Sequence, residues 1–210
     1  YNPGGAIKTL YGAPYPCCAG TRPMAAADLP SQIAMQTPAG DLAILQFIPS
    51  IIRTKNGTLR ISTTFPESKT VHFQWSGNYG MRQNIKVRLP KWAAGLPHLK
   101  NDATGKNMPV LHDKSGNWLV IRQPLTGDIA FTLTLPLRFT LEPFDSAKPF
   151  PITLMYGPIA LTLRSEKTFV PKLTALRPSD GEALTWHVAG HPDALVRAFH
   201  LIPEGEPYRL

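Results

Sequence analysis

Two cysteines stand side by side in Pro14-Tyr15-Pro16-Cys17-Cys18-Ala19-Gly20-Thr21, and the chain has no others. A disulfide between sequence neighbours must close a small, strained ring, far from ordinary disulfide geometry. Cys17 and Cys18 are therefore open to the two roles that thiolates fill well, metal ligation and nucleophilic attack. The other reading is of two small buried side chains, which is what most free cysteines are. No second cysteine pair or well-spaced histidine pair completes a tetrahedral zinc set within the chain. Further ligands for a metal held here are expected outside this sequence.

The remaining candidates are weaker. Of the six histidines, at 72, 98, 112, 187, 191 and 200, His72 falls on the polar side of an alternating stretch, and His98 and His112 fall in loop-like segments. His187 and His191 have the spacing of a helical zinc site, but Gly190 and Pro192 argue against a helix there. Trp75, Trp92, Trp118 and Trp186 could stack on sugars; Trp75 and Trp118 sit at strand positions that suit a core, and Trp92 suits a strand end. Asn56-Gly57-Thr58 fits a glycosylation sequon, yet a tight turn explains Asn-Gly equally well.

The elements that would position these residues are mostly strands. Thr21 is a suitable N-cap and Pro23 suits a first turn, so a short helix is expected through Met24–Leu29, limited or kinked by Pro30. Such a helix cannot stand alone in water and needs a body to pack on, which the rest of the chain does not offer. Beyond Gln32 the pattern turns to β: a buried strand over Leu42–Ile48, a hairpin at Lys55-Asn56-Gly57, and alternating runs at Val71–Trp75 and Ile85–Leu89. The strongest alternation places Ile129, Phe131, Leu133, Leu135, Leu137, Phe139 and Leu141 at every second position. Pro136 interrupts it, so a bend, an edge or a crossing between sheets is expected there. A Pro/Ser/Asp-rich joint at Glu142–Pro149 marks the expected domain boundary. Two strands around Tyr156-Gly157-Pro158 follow, then shorter ones near 169–174, 184–188 and 195–202.

Composition agrees with this reading. Prolines number 22 in 210 residues, about twice the usual share, and they close apolar runs as in Phe47-Ile48-Pro49 and Thr134-Leu135-Pro136. That placement suits short strands and excludes a mainly helical chain. The net charge is +8, but the basic residues are dispersed and form no helix face or arm, so a nucleic-acid partner is not expected. No apolar run approaches the roughly 18 residues of a membrane span. The opening at Tyr1 and the strand-like ending at Glu206–Leu210 suggest a piece of a longer protein.

Several motifs, in order, resemble glycoside hydrolase family 127, the β-L-arabinofuranosidase-like proteins. Cys17-Cys18-Ala19-Gly20-Thr21 and Leu45-Gln46-Phe47-Ile48-Pro49-Ser50 are similar to its C-C-x-G-T and L-Y-x-P-S segments. Val87-Arg88-Leu89-Pro90-Lys91-Trp92-Ala93 looks like its R-I-P-x-W-A strand end, and Gly157-Pro158-Ile159-Ala160-Leu161 like its G-P-L-V-L strand. The resemblance implies a mainly β chain: antiparallel β-sandwich domains preceded by the tail of an (α/α)6 helical barrel. Residues 1–35 would then be the last loop and helix of that barrel, 36–143 a first sandwich and 144–210 a second, incomplete one. It also implies a carbohydrate substrate, Cys17 as a zinc-held nucleophile of a retaining reaction, and Cys17 and Cys18 as ligands of Zn2+. The family's acid glutamate and other zinc ligands would lie upstream. Many members have P-P-N after the cysteine pair where this chain has Ala19-Gly20-Thr21, so the sugar could differ. A non-catalytic carbohydrate-binding or structural sandwich is the alternative.

Overall fold

The computed structural model describes residues 9–10, 13–14, 24, 27–78, 80–90, 92–93, 97–113, 116–121, 124–143, 145, 147, 152–166, 169, 171–180 and 182–198. Strands β1 (Thr9–Leu10) and β2 (Ala13–Pro14) pair with each other. Residues 27–33 are helical, so the helix runs past Pro30 instead of stopping there. Pro30 has no N–H to give to a preceding carbonyl, but Ser31 Oγ donates to Asp28 O at 2.7 Å and occupies one carbonyl of that turn. The helix end is tied to the strands that follow, because Ile33 O accepts from the N–H groups of Leu45 and Gln46.

Those two bonds also explain a shorter strand than the apolar run suggests. The chain pairs as a strand only over β4 (Leu42–Ile44), since Leu45 and Gln46 give their N–H groups to Ile33 and leave the ladder. β4 has β3 (Ala34–Gln36) antiparallel on one side and β8 (Ile85–Arg88) parallel on the other. With neighbours on both sides, all three of its residues are buried. β11 (Trp118–Ile121) and β10 (Val110–His112) extend this first sheet beyond β8.

A second five-stranded sheet runs β5 (Ser50–Thr54), β6 (Gly57–Ser62), β7 (Thr70–Gly77), β12 (Asp128–Thr134) and β9 (His98–Asn101), every pair antiparallel. Period-2 sequences give each of its long strands one apolar face. Leu59, Ile61, Val71, Phe73, Trp75, Phe131 and Leu133 are buried and pack with Ile44, Ile85, Val87 and Leu119 of the first sheet. Phe73 and Phe131 lie opposite each other in register and stack, with centroids 5.1 Å apart. The two sheets thus form a sandwich around one core.

The alternating run from Ile129 to Leu141 does cross between sheets. Residues up to Thr134 belong to β12, the four residues around Pro136 are unpaired as strand, and β13 (Phe139–Pro143) joins a third sheet. The change of sheet therefore falls ahead of the Glu142–Pro149 joint. β13 is followed in order by β14 (Ile152–Tyr156), β15 (Ile159–Arg164), β18 (His191–Ala198), β17 (Thr185–Val188) and β16 (Leu176–Pro178), all antiparallel. Its apolar side holds a separate core of Ile159, Leu161, Leu176, Trp186, Val188, Ala194 and Val196, with Phe139 and Tyr156 against it. Among the described residues no helix is long and apolar enough to cross a membrane.

Candidate functional site

Cys17 and Cys18, the residues with the clearest chemistry, lie outside the described residues. Among the described residues no group of three or more His, Cys, Asp or Glu could hold a metal ion. As a donor set the two adjacent thiols suit Zn2+, a borderline-soft ion that favours cysteine sulfur.

Of the histidines, His200 lies outside the described residues. His98 and His112 are strand residues in β9 and β10, where loop was expected. His72 Nδ1 lies 2.9 Å from Thr132 Oγ1, whose hydroxyl donates to Asp102 Oδ1 at 2.7 Å. Since the Thr132 proton goes to Asp102, Nδ1 of His72 is the donor in that pair. His187 and His191 lie on β17 and β18 with no helix between them, and they are not opposite each other: His187 pairs with Leu195 and His191 with Val188. His187 lies beside Ser179 Oγ, and the His191 ring stacks on Phe169. Trp75 and Trp186 are core residues, and Trp92 stacks on Phe65. Trp118 is not in the core. It is half-buried on the side of β11 opposite Leu119, with Lys86 Nζ 5.0 Å from its ring.

A site that the sequence did not announce lies at one end of the sandwich. Four connections converge there: the Pro38–Asp41 turn, the Lys55-Asn56 turn, residues 81–84 and Pro124. They bound a cleft of about 390 Å³, within the ~300–1,000 Å³ range of small-ligand sites. Gln83 is its keystone. Only 1% exposed, it pairs both backbone groups with Leu125, while its side-chain amide donates to Gly40 O (3.0 Å) and Asn84 O (2.9 Å). Its Oε1 accepts from Asn56 Nδ2 at 3.1 Å. The same Asn56 amide donates to Arg82 O (3.0 Å), and Asn78 Nδ2 donates to Lys55 O (2.7 Å). Asn84 Nδ2 donates to Asp41 Oδ1 at 3.0 Å.

Asn56 therefore does more than fill a turn. The hairpin loop is Lys55-Asn56, with Gly57 already paired to Thr54, so the Asn-Gly pair straddles the end of the loop. The amide that a sequon would offer is spent on Arg82 and Gln83. No single residue type flags this cleft. Its only trace in the sequence is the recurrence of amide side chains, Asn56, Asn78, Gln83 and Asn84, at the strand ends.

The architecture up to residue 135 is a sandwich of two β-sheets, and the comparisons refine that class. Residues 41–137 match the family model described as the beta-L-arabinofuranosidase, GH127 middle domain. Residues 41–137 are thus similar to a GH127 middle domain, the family that the motifs resemble. Its fold is similar to that of a GH127 beta-L-arabinofuranosidase from Geobacillus stearothermophilus T6, at 21% identity and a TM-score of 0.59, over 76% of this chain and 26% of that one. It is also similar to a structure described as a glycoside hydrolase, at 12% identity and a TM-score of 0.61, over 86% of this chain and 36% of that one. At these identities the likeness is one of fold, and this chain spans about a quarter to a third of those proteins. No curated protein matches the sequence.

Proposed function

We propose that this chain is the C-terminal part of a retaining glycoside hydrolase acting on β-L-arabinofuranosides or related plant-type sugars, with Cys17 as its nucleophile. The observation that carries the proposal is the family match over residues 41–137, supported by the Cys17-Cys18-Ala19-Gly20-Thr21 motif. In this reading Cys17 Sγ attacks the anomeric carbon as the glycosidic C–O bond breaks. The departing oxygen takes its proton from a carboxylic acid upstream of the motifs in this chain. Water then displaces the sulfur, and two inversions leave the configuration retained. Cys17 and Cys18 would both ligate Zn2+, which when bound keeps sulfur as thiolate near neutral pH. Helical residues 27–33 would belong to the tail of a helical catalytic barrel.

Hydrolysis of a nitrophenyl β-L-arabinofuranoside by the full-length parent, with zinc analysis, tests this. Cys17→Ser should lower turnover by at least ~10³-fold, and Cys18→Ser should lower zinc content. The 210 residues alone should be inactive, because the acid and most of the sugar pocket are proposed to come from the remaining sequence. Full turnover in Cys17→Ser would remove the nucleophile assignment. A metal-free parent with two inert thiols and sugar binding without turnover would favour the non-catalytic sandwich instead.

A further inference from the structure

We infer that the cleft at the sandwich end binds a singly charged, polyhydroxylated anion, a sugar acid, independently of the cysteine pair. The argument begins with what holds the cleft and what is left over. Gln83 lies at its base with its amide donor and acceptor both engaged, and so joins the Pro38–Asp41, Lys55-Asn56 and 81–84 segments into one preformed rim. The backbones of both cations are fixed: Lys55 O accepts from Asn78, and Arg82 O accepts from Asn56. Among the described residues their charged heads form no hydrogen bond or ion pair. Two cations with unpaired heads lining one cleft offer a site for a carboxylate, and the planar Arg82 fork suits one especially well.

Asp41 then narrows the class of ligand. Its Oδ1 is held by Asn84 Nδ2, and its Oδ2 has no partner among the described residues. A carboxylate acceptor beside two cations leaves the cleft with one net positive charge. A monoanion neutralises that charge, whereas a doubly charged phosphate would face Asp41 unpaired. An oriented carboxylate oxygen is also an acceptor for sugar hydroxyls, and the exposed edges of Met81 and Pro124 offer apolar contact to a sugar's C–H face.

The test is titration of the full-length protein with D-galacturonate, methyl galactoside and inorganic phosphate, followed by amide NMR or calorimetry. Galacturonate has no glycosidic bond to hydrolyse, so a failure here leaves the proposal for Cys17 untouched. Galacturonate should bind in the millimolar range and ~10-fold or more tighter than the neutral sugar, a difference equal to one charge-assisted contact. Arg82→Gln and Lys55→Gln should each weaken it ~5-fold or more without lowering the melting temperature. Asp41→Asn should weaken galacturonate and strengthen phosphate. Binding of phosphate as tightly as galacturonate would overturn the sugar-acid assignment. Absence of galacturonate binding, or binding unchanged in the Lys55→Gln/Arg82→Gln double variant, would overturn the site itself.

Discussion

At the scale of single residues, surroundings decide more than residue type. Tyr156 packs between Phe139 and Trp186, with both ring centroids at 4.9 Å, and burial pushes its phenol above the ordinary value of 10.0. Between the unfolded value and the raised folded one, the folded chain keeps a proton that the unfolded chain has lost. Stability is then full below about pH 10 and falls as pH rises through that window. Absorbance titration of phenolate should show a late-ionising component that is lost in Tyr156→Phe; ionisation of that group at the ordinary value would refute the assignment. Gln83 shows the same dependence on context. Its polar side chain gives no sequence signal of burial, yet it makes three side-chain hydrogen bonds. Gln83→Leu should cost about 2–3 kcal/mol at roughly 1 kcal/mol per bond, measured by urea unfolding. A loss below about 0.5 kcal/mol, as for an ordinary surface substitution, would show that the network does not hold the rim.

At the scale of elements, much was legible because strands have a simple period. The apolar positions of β7, β8 and β12 could be assigned a face from alternation alone, and the structure buries those residues, Ile129 only in part. Pro136 signalled the change of sheet because it lacks the N–H that a ladder requires. What the period could not convey was pairing. Nothing in Leu42–Ile48 says that its second half will bond to Ile33, or that β4 will lie parallel to β8. Trp118 likewise sits in an apolar run whose phase turns it outward. One consequence of the pairing is a close approach around Trp75. A Cβ on Gly57 would come within 2.6 Å of Trp75 Cζ2, and one on Gly77 within 2.9 Å of its Nε1 and 2.8 Å of Gly127 O. The indole thus lies between β6 and the strand end with no room for a methyl group. Gly77→Ala should destabilise the sandwich by about 1–3 kcal/mol, the usual cost of overpacking. Thermal unfolding followed by Trp75 fluorescence would measure it, and an unchanged midpoint would mean that the contact yields freely.

At the scale of the whole molecule, the motifs Cys17-Cys18, Arg88-Leu89-Pro90 and Gly157-Pro158 pointed to the family whose middle-domain model matches residues 41–137, whereas the cleft emerged only from the assembled turns. Sequence motifs mark positions where one residue type is required, but a cleft built from side-chain amides can be assembled from many dispersed residues. The two cores raise a separate question of cooperativity. They meet at the Tyr156-Gly157-Pro158 turn, where a Cβ on Gly157 would lie 2.6 Å from Leu137 Cδ2 and 3.5 Å from Trp92 Cε3. Gly157 also has φ +55, a conformation that penalises any side chain. Trp92 in turn stacks on Phe65, whose ring meets Phe47 edge-on in the first core. A path of direct contacts therefore runs from the third sheet's turn into the sandwich. If that path couples the cores, calorimetry should show one unfolding transition, and Gly157→Ala should lower it by about 1–3 kcal/mol through clash and backbone strain. The same substitution in an uncoupled molecule would shift only the transition of the third sheet and leave the sandwich melting as before. Two transitions in the unmodified chain, with only one moved by Gly157→Ala, would show that the junction joins the units without sharing their stability.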